Sequence, residues 1–255
     1  MAMKMKKARL AQGIALACLS MPPAWAADAA SLLKDADAFR AGNADVCIET
    51  EVTTSDAQQQ TTKTRLYSVF IRDPRNSLIV MRSPAEAGQK VLMSGDNFWI
   101  VMPNSERPLR ITPSQKLLGD ASTGDIASLS WAADYDGTVV GEETCKLDAV
   151  ERACIHLSLA ANNKSSSYQR IELWLGAQHH EPLTADYYVQ SDRIAKHASF
   201  EMDSATSPKL VNQMVLDDQL GDHRVTKVRY LSRRPKRMSE NLFNPMYLVR
   251  TPNVD

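Results

Sequence analysis

Two cysteines lie close enough in the sequence to form a disulfide bond. The segment TCKLDAVERACIHLSLA predicts a hairpin in which Cys145 and Cys154 alternate away from the apolar positions that begin at Ile155. In an oxidising compartment this arrangement favours a cross-strand disulfide that closes a short loop. The alternative is two reduced thiols that are merely near each other. Cys47 is predicted to be a buried thiol on the first strand, with an intermolecular link as the alternative.

The histidines could ligate a metal ion or act as catalytic bases, but their neighbours argue against both roles. The run His179–Glu181 is interpreted as a solvated turn, because adjacent residues on a turn seldom converge on one ion without distant ligands. His156, His197 and His223 are predicted on the polar faces of strands, and none is paired in sequence with an obvious nucleophile. The sequence contains no G-x-S-x-G, P-loop or H-E-x-x-H motif. It therefore predicts a protein that is not an enzyme and that holds no metal or cofactor.

A basic cluster near the C-terminus could bind acidic groups. It consists of Arg233, Arg234, Lys236 and Arg237. Such a run is usually a solvated face, and the alternative is transient docking on acidic lipid headgroups or a membrane partner. The apolar residues beyond it are predicted to pack back onto the domain. They are Leu242, Phe243, Tyr247 and Leu248.

The first 26 residues have the pattern of a secretory signal peptide. Basic residues from Lys4 to Arg9 precede a short apolar run from Leu10 to Leu19, and Ala24–Ala26 forms a small-x-small cleavage site. We predict cleavage after Ala26 and a periplasmic location. An uncleaved anchor is one alternative, and lipidation of Cys18, which lies in a faint lipobox, is another.

The remaining chain, residues 27–255, is predicted to be a single, monomeric domain. Removing residues 1–26 takes four of the 30 basic residues and none of the 30 acidic ones, which leaves 26 against 30 over 229 residues. This mildly acidic balance argues against nucleic-acid binding. No linker or internal repeat divides the chain, and one sheet-rich domain commonly reaches this size.

Alternating apolar and polar residues predict that this domain is mainly β, in the α+β class. A short helix is predicted at 29–39. Strands are predicted near 45–54, 62–72, 77–83, 88–94, 97–102, 108–112, 136–145, 152–160, 168–176, 183–190, 194–202, 208–217 and 223–231. Short connections indicate antiparallel pairing. Long strands with one apolar and one polar face predict a curved sheet whose apolar face encloses a core or a cavity.

The segment from Gly88 to Trp131 is the most distinctive part of the chain. It predicts a strand pair, a third short strand and then two helical pieces separated by Gly119 and Gly124. The strand at 97–102 is apolar on both faces, so it needs cover on both sides. The interrupted helix is the nearest candidate for that cover.

Three groups of residues form motifs in this segment and near the C-terminus: Gly95, Phe98, Trp99, Pro103, Arg110 and Ile111, then Gly124 and Asp125, then Leu242, Phe243, Pro245, Tyr247 and Leu248. Their order and spacing resemble the longer branch of the LolA-like superfamily, the outer-membrane lipoprotein-sorting proteins. The resemblance implies a half-open β-barrel with a short helical lid and a concave face that holds acyl chains. It also implies an arginine that holds the lid, for which Arg110 is the best match.

The candidate residues of the apolar cavity and lid lie on the apolar strand positions and in the interrupted helix. They are Leu66, Phe70, Trp99, Val101, Leu117, Leu118, Ile126, Leu129, Trp131, Ile155, Leu157, Ile171, Leu173, Leu183, Tyr187, Phe200 and Met214. Periodicity alone favours a plain packed core. The shortage of predicted helix to cover the sheet, together with the resemblance, favours a cavity.

The resemblance implies a carrier that shuttles the acyl chains of a lipoprotein or lipid between the inner and outer membranes. Its membrane partner would be an inner-membrane transporter of the resistance-nodulation-division type. The alternative is a periplasmic sensor or interaction module that binds lipoproteins or a membrane protein. A lipid hydrolase is a third hypothesis, although the sequence shows no recognisable catalytic site for it.

Overall fold

The computed structural model describes most of the chain. The described residues are 24–41, 45–112, 125–126, 130–147, 150–163, 166–221, 223–250 and 254. The predicted signal peptide lies almost wholly outside them, as do Leu117, Leu118 and Leu129 of the predicted lid.

Thirteen strands form one antiparallel sheet. They are β1 Val46–Ser55, β2 Thr61–Asp73, β3 Asn76–Met81, β4 Lys90–Ser94, β5 Asn97–Val101, β6 Leu109–Ile111, β7 Tyr135–Leu147, β8 Val150–Ala161, β9 Arg170–Gly176, β10 Pro182–Tyr188, β11 Ile194–Met202, β12 Val211–Asp218 and β13 Val225–Pro235. The helices are α1 Ala24–Ala41, α2 Trp131–Asp134 and α3 Pro245–Arg250, with 3-10 turns at Pro84–Glu86 and Glu240–Phe243. All of the predicted strands are present, and the mainly β, unclosed fold is confirmed.

The sheet is a meander whose first and last strands meet in its middle. The order is β6-β5-β4-β3-β2-β1-β13-β12-β11-β10-β9-β8-β7, so β6 and β7 are the two edges. The pairing of β1 with β13 joins the two halves, and it runs from Val46 opposite Pro235 to Ser55 opposite Val225. Because the edges do not pair with each other in this order, the curved sheet is an open barrel.

The inner face of the sheet carries the larger of two apolar cores. Helix α1 packs against it with Ala29, Leu32, Leu33 and Ala36, which recur at the spacing of one helical face. The helix lies close to β7 at Gly137, where an added Cβ would lie 3.1 Å from Leu33 Cδ1. A larger residue there would push the helix away from the edge strand.

The outer face of β1 to β5 carries the second core, which the C-terminal segment covers. Phe243 and Leu248 of this segment pack against Cys47, Phe70 and other outward-pointing side chains of these strands. The prediction that these two residues pack back onto the domain is therefore confirmed. Tyr247, by contrast, is exposed.

The basic cluster that precedes this segment is engaged within the domain. Arg233 donates to the carbonyl of Val211 at 2.6 Å, and Arg234 pairs with Glu49 at 3.2 Å. Lys236 lies over the ring of the buried Phe70, with Nζ 5.2 Å from the ring centroid. These contacts favour a structural role for most of the cluster.

The cysteines lie as predicted. Cys145 on β7 and Cys154 on β8 form a disulfide with their Cα atoms 5.9 Å apart. Glu143 lies close to both sulfurs in a grouping that could suggest a metal site, but the disulfide uses both thiols. Cys47 is a buried free thiol, and burial raises its pKa, with the neighbouring Glu49 carboxylate adding to the effect.

Candidate functional site

A short stretch between β6 and β7 lies against the inner face of the sheet. Its described parts are residues 125–126 and 130–134, which we call the cover. Ile126 and Trp131 are both buried in the inner core. The indole ring of Trp131 meets the ring of Phe200 edge-on, with the centroids 5.7 Å apart. The cover therefore fills space that the sheet would otherwise present to solvent or to a ligand.

Helix α1 fixes the start of α2 within the cover. The carboxylate of Asp37 accepts hydrogen bonds from the backbone N–H groups of Trp131 and Ala132 at 2.8 and 2.9 Å, and from Ser130 Oγ at 2.7 Å. Burial raises the pKa of Asp37, against the opposing effects of Arg40 and of these hydrogen bonds. A carboxylate from one helix thus satisfies the free N–H groups at the start of another.

Arg40 completes the contact between α1 and the cover. Its guanidinium carbon lies 3.9 Å from the centroid of the Trp131 ring, and its Nη1 lies 3.8 Å from Asp37. Cation–π contacts of this kind gain strength when they are desolvated, and Arg40 is almost wholly buried. Arg110, the predicted lid arginine, instead lies exposed on β6 and donates to Asn97. Two arginines contact the described cover: Arg40 lies over the Trp131 ring, and Arg75 Nη2 lies 3.2 Å from Oδ1 of Asp134.

The other end of the cover bonds to the sheet through a carboxylate. Asp125 accepts a hydrogen bond from Tyr168 Oη at 2.7 Å and pairs with Lys196 Nζ on β11. Tyr135 donates in turn to the carbonyl of Tyr168 at 3.1 Å. Burial raises the pKa of both Tyr135 and Tyr187, which keeps these phenols neutral.

The space beneath the cover is small, and both polar and apolar side chains line it. A cavity of about 40 Å³ lies among Arg40, Asp125, Trp131, Tyr168 and Tyr187. That volume has room for a few water molecules at most, and it is far below the roughly 300 to 1,000 Å³ of a typical ligand pocket. With the cover in place, the inner face is a packed core.

A larger groove lies at the open edge, between α1 and strands β7 and β8. Its volume is about 470 Å³, and Leu32, Val139 and Ile155 form its apolar wall. His180 lies at its rim and bonds to Asp35 of α1 at 2.8 Å. The groove borders the inner core, against which Val139 and Ile155 pack.

The structure brings many of the sequence-predicted site residues together on the inner face. Those in the inner core are Ile126, Trp131, Leu157, Ile171, Leu173, Tyr187, Phe200 and Met214, with Ile155 packed against it. Leu183 on β10 is also buried.

Four predicted lining residues lie elsewhere, and their placement on the inner face was wrong. Phe70, Val101 and Trp99 belong to the outer core under the C-terminal segment, and Leu66 is 43% exposed. On β2 it is Tyr67, among others, that points inward. Both faces of β2 carry apolar residues here, so the alternating pattern does not show which face points inward.

The polar residues that hold the cover were missed. Lys196 gave a detectable signal, because it interrupts an otherwise apolar inward series with Ala198 and Phe200 on β11. Asp37 and Arg40 gave a weaker one, since charged residues are common on an amphipathic helix.

Comparison with known proteins agrees with this architecture. Residues 73–250 match the model of a family described as "Uncharacterized protein". The chain belongs to this family. A search of curated proteins gave no match.

Three solved structures share the fold. A LolA superfamily protein from Nitrosomonas europaea has 24% identity and a TM-score of 0.76, over 86% of this chain and 98% of that one. An outer membrane lipoprotein-sorting protein domain from Vibrio parahaemolyticus has 19% identity and a TM-score of 0.70, over 88% and 100%. A DUF1329 family protein from Desulfovibrio piger has 22% identity and a TM-score of 0.70, over 88% and 99%. The fold is therefore LolA-like, as the sequence motifs predicted.

Among the described residues, none forms a helix with the length and apolar character needed to cross a membrane.

Proposed function

We propose that this protein is a periplasmic carrier that binds the acyl chains of a lipid or lipoprotein on the inner face of its sheet and carries them between the two membranes. The observation that supports this most is the cover. Ile126 and Trp131 place apolar side chains on the inner face where acyl chains would lie, and polar contacts to Asp37 and Lys196 hold them there. Polar contacts of this kind can be exchanged without unfolding the sheet.

The energy of the task explains why such a face is needed. Exposing the roughly 30 methylenes of an acylated client to water would cost on the order of 20 kcal/mol of free energy, at about 0.8 kcal/mol per methylene. A carrier must offer a comparable apolar area and must later release the chains. A cover that returns to the inner face when the ligand leaves meets both requirements. The inner face is then in contact with apolar groups in the loaded and in the empty protein, and it is never left open to water.

The groove beside α1 is the proposed point of entry. Its apolar wall at Leu32, Val139 and Ile155 adjoins the inner core, and its volume of about 470 Å³ suits the first part of an acyl chain. Further entry then requires the cover to move away from Phe200. The membrane partner proposed for loading is an inner-membrane transporter of the resistance-nodulation-division type.

Native mass spectrometry of the protein isolated from a periplasmic fraction without detergent tests this function. We expect an adduct with the mass of a lipid or acylated peptide, or uptake of phospholipid from added vesicles, without any hydrolysis. A clean apo mass with no uptake from vesicles would contradict a carrier. Release of free fatty acid from the bound lipid would instead favour a hydrolase.

A further inference from the structure

The cover places a carboxylate in an anion site that belongs to the sheet. Asp125 uses both of its oxygens: Oδ1 accepts from Tyr168 Oη at 2.7 Å, and Oδ2 pairs with Lys196 Nζ. Tyr168 lies two residues before the start of β9, and Lys196 lies on β11. Both donors would therefore stay with the sheet if the cover moved, and only the anion would leave.

Both donors are buried among apolar side chains. Lys196 is 7% exposed and Tyr168 is 5% exposed. Lys196 lies opposite Tyr187, a member of the inner core, whereas the next residue, His197, faces the other way and bonds to Asp186. A buried ammonium is strongly unfavourable unless an anion compensates it. Binding hydrocarbon alone does not require a buried ammonium group on the inner face.

Removing the cover takes from Lys196 the carboxylate to which it bonds; the acidic residue opposite Lys196 on β12 is Asp218, whose Oδ1 accepts from the backbone N–H of Leu220. Arg40 keeps its partner Asp37, because both belong to α1. Lys196, in contrast, loses the carboxylate that the cover supplies. A ligand made of acyl chains alone would replace Ile126 and Trp131 but would not replace the carboxylate that Asp125 presents to Lys196.

We infer that the ligand brings its own anion, so the preferred ligand is an acylated molecule with a phosphate or carboxylate headgroup, bound by Lys196 and Tyr168. Asp125 is the internal substitute for that headgroup in the closed protein. This inference rests on the proposed function, and it adds the chemical class of the ligand. Binding then exchanges one anion for another at the same two donors.

Calorimetric titration with monomeric lysolipids tests the inference, because monomers have no membrane surface to attract the protein. The probes are lysophosphatidylglycerol, monopalmitoylglycerol with the same palmitoyl chain and no anionic group, palmitate as the carboxylate, and glycerol 3-phosphate as a headgroup without a chain. We expect the wild type to bind lysophosphatidylglycerol and palmitate about tenfold or more tightly than monopalmitoylglycerol, as a charge-assisted hydrogen bond allows. Asp125→Asn weakens the internal competitor and should tighten the binding of both anionic probes.

Lys196→Met should abolish the preference, and Lys227→Met, which removes an exposed lysine on β13, should leave it unchanged. If Lys196→Met does not fold, the double variant Asp125→Asn/Lys196→Met removes both charges and makes the same prediction. Equal affinity of the wild type for lysophosphatidylglycerol and monopalmitoylglycerol, or a preference that survives the loss of Lys196, would overturn the inference while leaving the carrier intact. Glycerol 3-phosphate that binds as tightly as the lysolipid would assign the site to a free phosphate and overturn it too. Failure of every acylated probe to bind would reject the carrier function and this inference together.

Discussion

The carboxylate of Asp37 accepts a hydrogen bond from the backbone N–H of Trp131 at 2.8 Å, although the two residues are separated by 94 positions in the chain. This bond joins the N-terminal helix to the cover without involving the sheet. The cover is held near one end by Lys196 of β11 and near the other by Asp37 of α1 and by Arg75, which pairs with Asp134 at 3.2 Å.

Replacing Asp37 with alanine should loosen the cover. Loss of a capping carboxylate typically costs about 1 kcal/mol, which corresponds to a fall in Tm of about 2 to 4 °C for a domain of this size. The indole of Trp131 should also become more accessible to acrylamide quenching. Lys34→Ala, an exposed change on the same helix, is the matched control. Unchanged quenching and Tm in Asp37→Ala would show that the cover is held without this contact.

The raised pKa of Asp37 gives a pH dependence with a definite sign. Its pKa in the folded protein lies above the ordinary value near 3.8, because burial penalises the charged carboxylate. The folded state then binds more protons than the unfolded state between these two pKa values. The part of the stability that comes from this proton uptake is therefore full below the unfolded pKa and is lost as the pH rises through the folded pKa; the capping hydrogen bonds of Asp37 contribute separately.

Chemical denaturation of the wild type and Asp37→Asn from pH 3 upward measures this effect, since the amide cannot ionise. We expect the wild type to lose stability relative to Asp37→Asn as the pH rises through that window. The free energies of unfolding of the two proteins could instead differ by a constant amount, or the wild type could gain stability relative to Asp37→Asn as the pH rises. Either result would mean that the hydrogen bonds to Trp131 and Ala132 outweigh the effect of burial on the pKa of Asp37.

The disulfide should stabilise the hairpin of β7 and β8. Cys145 and Cys154 are nine positions apart, and a loop of this length is worth roughly 2 to 3 kcal/mol. We expect the double change to serine to lower the Tm by about 5 to 10 °C. The oxidised wild type, the reduced wild type and the double variant can be compared by differential scanning calorimetry. Equal Tm values for the oxidised wild type and the double variant would exclude a stabilising role.

Trp131 should report ligand binding directly. It is buried against Phe200 and Arg40 when the cover is closed, and the proposed exchange moves it away from both. In a protein whose other tryptophans are changed to phenylalanine, we expect the emission of Trp131 to shift when lipid binds. A spectrum that does not change at saturating lipid would place the ligand outside the covered face.

The strands were predictable because their period-two pattern is local. The inward face of a strand was predictable only where one of its two sets of alternating positions is polar. Strand β9 is an example, because Ile171 and Leu173 alternate with Glu172. On β2 the inward face was not predictable, because the C-terminal segment gives Phe70 a second apolar environment that no neighbouring residue reveals. The pairing of Lys196 with Asp125 was equally hidden, since it depends on how the cover folds back over β11.

The groove offers a test in which two neighbouring residues act as experiment and control. Val139 and Val140 are adjacent on β7; Val139 lines the groove, whereas Val140 is 54% exposed and absent from its lining. Val139→Glu would place a carboxylate where the first methylenes of an acyl chain enter, so we expect lipid uptake from vesicles to slow by at least tenfold. Val140→Glu adds the same charge to the same strand and should leave uptake unchanged. Circular dichroism of both variants checks that the edge strand still folds. Equal uptake by the two folded variants would show that acyl chains reach the inner face by another route.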